Sequence, residues 1–242
     1  MADALFGEPR LAVIYDLVEG ERGDLDHYLA IAAELGARSL LDVGCGTGTF
    51  ACRAASQGMN VTGVEPAAAS LDVARAKPGA DRVRWLHGDA TGLPELQVDL
   101  ATMTANVAHV FLTDEDWSAT LCGVRDALRP GGHLVFEVRD PARRAWERWT
   151  RENTYQSLDA PGTGRVETWW DVTAVSGELV SYRRTYAFAD GTTLMSDSTR
   201  RFWSRAEIED SLRSAGYGLA DVRDAPDRPG REWVFISRKP GQ

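Results

Sequence analysis

The chain is nearly devoid of lysine. Lys77 and Lys239 are the only two in 242 residues, so arginine carries almost all of the positive charge. Acids still outnumber bases by 36 to 27, for a formal net charge of −9. A field of that sign repels polyanions such as DNA and tRNA, so no nucleic-acid partner is expected. Cysteine is scarce as well. Cys45, Cys52 and Cys122 are widely spaced and form no Cys-x-x-Cys. That argues against a disulfide framework or a zinc site and fits a cytoplasmic location, where thiols stay reduced. No apolar run approaches the roughly 18 residues that a membrane span needs, so no membrane is expected. The opening MADALFGEPR lacks a basic start followed by an apolar stretch and does not read as a secretory signal. What remains, 43% apolar and 9% aromatic residues, is ordinary globular composition. The length fits one large α/β domain with a small appendage.

Apolar residues at helical spacing mark residues 11–17 and 24–35, the second stopped by Gly36. Short apolar strands then alternate with helices. The strands are residues 39–43, 60–64, 83–86, 98–103 and 134–138; helices follow near 49–57, after Pro66 and over 114–128. Arg129-Pro130-Gly131-Gly132 reads as a turn. This alternation over short connections predicts a parallel sheet covered on both faces. After Asp140 the texture changes. Residues 143–152 read as a short helix. Residues 166–172, 179–188 and 194–203 are rich in aromatic and β-branched side chains, with Ser176-Gly177 and Asp190-Gly191 between them. That predicts a three-stranded antiparallel sheet. Ser204, with Glu207 three positions on, starts a last helix as a capping box. Two terminal strands, 219–223 and 233–237, are expected to close one edge of the main sheet as a hairpin.

The densest signal is Leu40-Leu41-Asp42-Val43-Gly44-Cys45-Gly46-Thr47-Gly48. A strand that feeds glycines and then a helix lets backbone approach a ligand closely, because no Cβ intervenes. As a dinucleotide fingerprint it is imperfect, since Thr49 occupies the third glycine position; as a P-loop it fails, since no Gly-Lys-Ser/Thr follows. A tight strand-to-helix turn with no ligand is the bland alternative. Asp42, two residues before the first glycine, would repel a pyrophosphate and suits a cationic amine.

With its acid followed by GxGxG, this segment resembles motif I of the class I S-adenosylmethionine-dependent methyltransferases, of the bacterial small-molecule type. The resemblance is clear from about Leu11 to Val138 and weak beyond. It implies an α/β fold: a doubly wound, Rossmann-like, seven-stranded sheet with an inserted antiparallel β-sheet. It also implies S-adenosyl-L-methionine as cofactor. By position, the glycine loop (Gly44, Cys45, Gly46, Gly48) would pass the cofactor, with Asp42 meeting its amino group directly or through water. Glu65-Pro66 at the end of the second strand would meet the ribose hydroxyls. Asp89-Ala90 at the end of the third would meet the adenine, and Thr104 and Asn106 would line the edge after the fourth. Tyr15 would sit near the methionine end on an N-terminal lid helix.

Methyl transfer needs alignment and exclusion of water, and an acceptor hydroxyl or ammonium needs a base. His109, just beyond the fourth strand, is the candidate base, because an imidazole titrates near neutrality. Arg139, Tyr155 and Trp169 are candidate acceptor contacts, with Trp170 and Tyr182 as further candidates for the same wall. No Asn/Asp-Pro-Pro-Tyr follows the fourth strand, and no acidic trio suggests a magnesium-dependent catechol-type site; no metal is expected. The expected division is a cofactor-binding core of residues 1–140 and 204–242, with a substrate or lid insertion at 141–203. The expected partner is a small-molecule acceptor, methylated at O or N, and a homodimer through the aromatic sheet stays open. So do two other functions: an NAD-dependent oxidoreductase on the same kind of sheet, and a non-catalytic cofactor-binding scaffold.

Overall fold

Three helices come first: α1 (Ala4–Gly7), α2 (Pro9–Glu19) and α3 (Asp24–Glu34). Helix α2 starts with proline in its first turn, where no amide is missed, and Gly20 ends it with a left-handed φ of 70°. The alternating half follows as β1 (Ser39–Val43), α4 (Thr49–Ser56), β2 (Asn60–Glu65), α5 (Ala68–Ala76), β3 (Val83–His87), β4 (Val98–Met103), α6 (Asp114–Ala127) and β5 (Leu128–Arg139). Helix α6 is capped by the Thr113 side chain and opens with three acids, Asp114, Glu115 and Asp116, which suit the positive end of the helix dipole. A short helix α7 (Arg151–Thr154) leads into β6 (Gln156–Ala160), β7 (Gly164–Ser176), β8 (Leu179–Phe188) and β9 (Thr193–Arg201). Helix α8 (Arg205–Ser214), β10 (Gly218–Asp224) and β11 (Glu232–Arg238) complete the chain. These elements come from a computed structural model that describes residues 3–241. Residues 1, 2 and 242, the outer ends of the expected core segments, lie outside the described residues.

The main sheet has seven strands in the order β3-β2-β1-β4-β5-β11-β10. Its first five strands are parallel, β11 runs antiparallel to β5, and β10 runs antiparallel to β11. The terminal hairpin therefore closes one edge, as the sequence led one to expect. Both faces are covered by apolar side chains. Trp117, Phe136, Trp203 and Phe235 fill one side; Tyr28, Leu40, Phe50 and Leu100 belong to the other. Phe136 and Phe235 stack with centroids 5.4 Å apart, and burying each such ring stabilises the fold by about 1.5–3 kcal/mol. Between β1 and β4 the strand order reverses direction. The connections leaving those two strands diverge there and open a crevice at their carboxyl ends.

The second sheet is antiparallel, in the order β6-β7-β8-β9. It has four strands where the sequence pattern suggested three. Strand β6 (Gln-Ser-Leu-Asp-Ala) is mostly exposed and polar, so it carries no alternating signal. Of the helix expected over 143–152, only the end falls in α7; the rest is 3-10 turns and loop, and Arg144 takes a left-handed φ of 44° that breaks a helical path. Arg129–Gly132 is an irregular part of β5 rather than a separate turn: Val98 pairs with Leu128, but Leu100 pairs with His133. Helices α1 and α2 pack on the small sheet, with Leu5, Leu11 and Ile14 against Val166, Tyr186 and Phe188. Among the described residues, no helix is long and apolar enough to cross a membrane.

Candidate active site

A cavity of about 1050 Å³ occupies the crevice. Its floor is the connection after β1. The amides of Gly44 and Cys45 both donate to the Val64 carbonyl, which clasps the loop to β2. Gly44, Cys45, Gly46 and Thr47 line the cavity, and so do Glu65, Pro66 and Asp89 from the ends of β2 and β3. Thr104, Ala105 and Asn106, after β4, complete the opposite edge. The ends of four strands thus contribute to one wall.

The three loop glycines do different work. All have positive φ. A Cβ on Gly46 would meet nothing within 4 Å, so this stretch of backbone lies bare toward open space. A Cβ on Gly44 would strike Val107 at 2.8 Å. Gly48 does not line the cavity; a Cβ there would come within 2.6 Å of the Trp85 ring and 2.8 Å of Ala74. Its expected place beside a ligand is therefore corrected: Gly48 lets α4 pack closely.

Two acids near the loop differ in setting. Glu65 lines the cavity and accepts from the amides of Gly46 and Ala67, each at 2.9 Å, so it also fixes the loop. Burial raises its pKa against those hydrogen bonds. Asp42 is fully buried behind the loop and lines neither cavity, which corrects the expectation of direct ligand contact. Thr102 donates to its Oδ1 at 3.2 Å, while Oδ2 has no partner among the described residues. Burial pushes its pKa up to about 7. Ala90 is likewise buried off the wall. Asp89 lines the crevice and caps the Thr91 amide.

Helix α2 lies over the loop and is tied to it. Asp16 accepts from the hydroxyls of Thr47, at 2.6 Å, and Thr49, at 3.2 Å. Lys77, one of only two lysines, bridges to Asp16 and donates to the Thr49 hydroxyl at 2.7 Å. Tyr15, one residue before Asp16, lines the crevice.

A second cavity of about 360 Å³ adjoins the first. Tyr15, Arg22, Asn106, Tyr182 and Arg200 line both. Its other walls include His109, Arg139, Glu137, Trp149, Trp170 and Arg184. Glu137 is buried on β5. It accepts from the Tyr28 hydroxyl at 2.5 Å, from the Asn106 amide at 2.9 Å and from the Asn106 side chain at 3.2 Å. These bonds hold Ala105 and Asn106, both at left-handed φ near 60°, a conformation that costs a non-glycine residue roughly 1–2 kcal/mol. Burial first, and the charge of Glu232 second, push the Glu137 pKa up to about 7. Sequence reasoning missed this residue, although a lone acid in the buried run Leu-Val-Phe-Glu-Val is a legible signal. Arg22 and Asp16, which act from the N-terminal segment, gave none.

Three further expectations are corrected. His109 is buried, and both ring nitrogens are taken: Nδ1 donates to the Arg201 carbonyl, and Nε2 accepts from the Arg139 amide at 3.0 Å. Burial pushes its pKa down to about 3. It has no lone pair left for an acceptor's proton, so it ties β5 to β9 rather than acting as base. Trp169 and Tyr155 line neither cavity. Neighbouring residues on a strand face opposite ways. Trp170 faces the second cavity beside Tyr182, whereas Trp169 sits under Arg151 at 4.1 Å.

Residues 40–132 match a family model described as a methyltransferase domain. The cypemycin N-terminal methyltransferase of a Streptomyces species is 33% identical over 109 residues, 45% of this chain and 44% of that protein. The chain spans about half the length of most of the curated relatives it matches. Among solved structures, it is similar to an S-adenosylmethionine-dependent methyltransferase from Clostridium acetobutylicum, with TM-score 0.78 and 18% identity over 96% of this chain and 98% of that one. It is also similar to the sugar N-methyltransferase KedS8 from Streptoalloteichus, with TM-score 0.73 and 20% identity over 93% and 92% of the two chains. At these identities the structural likeness shows the fold.

Proposed function

We propose that the chain, whose residues 40–132 match a methyltransferase domain, is a class I S-adenosylmethionine-dependent methyltransferase that methylates a small-molecule acceptor at oxygen or nitrogen. The observation that carries the reading is the bare backbone at Gly46, facing a large cavity with the Glu65 and Asp89 carboxylates at the next two strand ends. These residues fit the cofactor. Gly44, Cys45 and Gly46 would pass its methionine end, Glu65 its ribose and Asp89 its adenine. The unpartnered oxygen of buried Asp42 suits a cationic amine reached through water rather than directly. When bound, the cofactor supplies a sulfonium methyl group open to nucleophilic attack.

The rest falls to the chain itself. Residues 141–203 act as lid and substrate module over the core, since Trp149, Trp170 and Tyr182 wall the smaller cavity, which takes the acceptor. Tyr15 and Asn106 stand at the junction and set the approach between the two cavities. Helix α2, latched by Asp16, keeps water from that junction. Glu137, with its pKa near 7, is the group on the acceptor wall suited to take a proton at physiological pH. The three cysteines are free thiols, which agrees with placing the chain in a reducing cytoplasm.

The test is turnover. Purified protein is incubated with S-adenosylmethionine and a panel of amines, alcohols and carboxylic acids, and release of S-adenosylhomocysteine is followed. Release dependent on one acceptor class supports the reading. Tight binding of NADH with none of S-adenosylhomocysteine overturns it in favour of an oxidoreductase. Cofactor binding with no turnover on any acceptor favours a scaffold.

A further inference from the structure

Resting on the reading of the smaller cavity as the acceptor site, we propose that the acceptor is a small organic anion whose carboxylate or phosphate oxygens are taken by Arg139 and Arg200. The two arginines come from distant parts of the chain, the end of β5 and the end of β9, and both line this cavity. Each is held from behind by an acid. Arg139 Nε donates to Glu232 at 3.0 Å, and Arg200 Nη1 donates to Asp3 at 3.3 Å. Neither Glu232 nor Asp3 lines the smaller cavity. Among the described residues, the terminal nitrogens of Arg139 have no hydrogen-bond partner, and neither do Nε and Nη2 of Arg200. Glu232 lies outside both cavities and Asp3 lines only the larger one, so each arginine has its charge balanced from outside the smaller cavity and keeps unused donors.

Aromatic rings fix those donors in place. Arg139 lies over the Trp149 ring at 5.6 Å and Arg200 over the Tyr182 ring at 5.9 Å. Trp149 meets Tyr182 edge-on at 4.8 Å. A guanidinium held at one edge by an acid and on one face by a ring loses little further freedom when its other edge is used. Its planar fork matches the two oxygens of a carboxylate or phosphate. A neutral ligand filling this space would displace water from charged donors and leave them poorly paired, which is costly. A cationic ligand would meet two guanidinium fronts.

Other charges on this wall do not offset the donors. Glu19 is closed by Arg184 at 2.7 Å, and Asp24 is closed by both Nε and Nη2 of Arg22. Arg228 donates to the same Glu232 oxygen as Arg139, at 2.6 Å, and stands 3.6 Å from Asp227. Glu137 is engaged by the Tyr28 hydroxyl and by the amide and side chain of Asn106. Exposed Glu21 stands at the margin.

The test separates this proposal from the one beneath it. Protein is first titrated with S-adenosylhomocysteine in a calorimeter; a wild type that takes none overturns the cofactor reading on which the acceptor site rests. The saturated protein is then titrated with benzoate, phenyl phosphate, benzyl alcohol and benzylamine. One or both anions should bind at least about tenfold more tightly than the alcohol or the amine, the scale of one charge-assisted hydrogen bond. Which anion leads tells carboxylate from phosphate. Arg139→Gln should erase the preference, and Arg139→Lys should keep only part of it, with S-adenosylhomocysteine affinity preserved in both. Equal or tighter binding of the alcohol or the amine overturns the proposal. So does an anion preference that survives Arg139→Gln, or no binding of any of the four probes.

Discussion

The larger cavity is floored by backbone, and the smaller one is walled by side chains. In the first, Gly44 to Gly46 form the surface, and the end of β2 holds them through Glu65 and the Val64 carbonyl. In the second, arginines and aromatic rings from α2–α3, β5, β7, β8 and β9 converge, and acids inside and outside the cavity hold the arginines. A backbone-floored site depends on chain direction and on missing Cβ atoms, so one short segment nearly determines it. A side-chain site depends on which distant elements meet. It can change its chemistry by single substitutions while the fold stands, which suits the cavity proposed to take the acceptor.

The largest effect that sharpens this contrast is expected at the seam between β5 and β9. His109→Ala removes a buried ring and orphans the Arg201 carbonyl and the Arg139 amide. Stability in chemical denaturation should fall by about 2–4 kcal/mol, while affinity for S-adenosylhomocysteine stays near that of wild type. Unchanged stability together with a large loss of methyl transfer would return His109 to a chemical role.

Next in size is Glu65→Ala. It removes the acceptor of the Gly46 and Ala67 amides and the proposed ribose contact together. Calorimetry should show cofactor affinity weakened by about 1–3 kcal/mol, with circular dichroism unchanged. An unaltered dissociation constant would mean that the floor of the larger cavity needs no carboxylate.

Smaller still is a pH effect in the second cavity. Glu137 keeps its proton in the folded state up to about pH 7, whereas an unfolded glutamate gives it up near its ordinary value of 4.5. The folded state therefore holds more protons across that window, and this residue makes stability fall as pH rises through it. Glu137→Gln lacks the slope. Urea denaturation at pH 5, 6, 7 and 8 should show the variant gaining on wild type up to about pH 7 and then holding level. Parallel curves would mean that Glu137 titrates as an exposed acid does, and that the smaller cavity is not built from desolvated side chains.

The same contrast explains what could be read from the sequence. Segment 40–48 announced its strand, loop and helix because its signals are contiguous, and the places of Glu65 and Asp89 at strand ends on the crevice wall were legible for the same reason. The parallel character of the main sheet and its closing hairpin followed from the alternation and the two terminal strands, whereas the strand order did not. Gly48 and Asp42 were placed at the ligand because sequence shows that a glycine or an acid is present, not which neighbour it meets; Trp85 and Thr102 decide that. His109 was read as a base from its place after β4, and nothing nearby in sequence announces the Arg201 carbonyl that occupies it. Trp169 and Trp170 are adjacent aromatics, and the covered face of β7 is set by β8 and the turns before β6. Strand β6 stayed hidden because it is polar and exposed.

The central claim is that the bare backbone at Gly46 is where S-adenosylmethionine binds. The most direct measurement is calorimetric titration of S-adenosylhomocysteine into wild type and Gly46→Val, with circular dichroism on both. Valine puts a branched side chain where a Cβ now meets only open cavity, at a left-handed φ that costs roughly 1–3 kcal/mol. The account predicts saturable one-to-one binding by wild type and none by a variant that is still folded. A folded Gly46→Val that binds S-adenosylhomocysteine as tightly as wild type would contradict it.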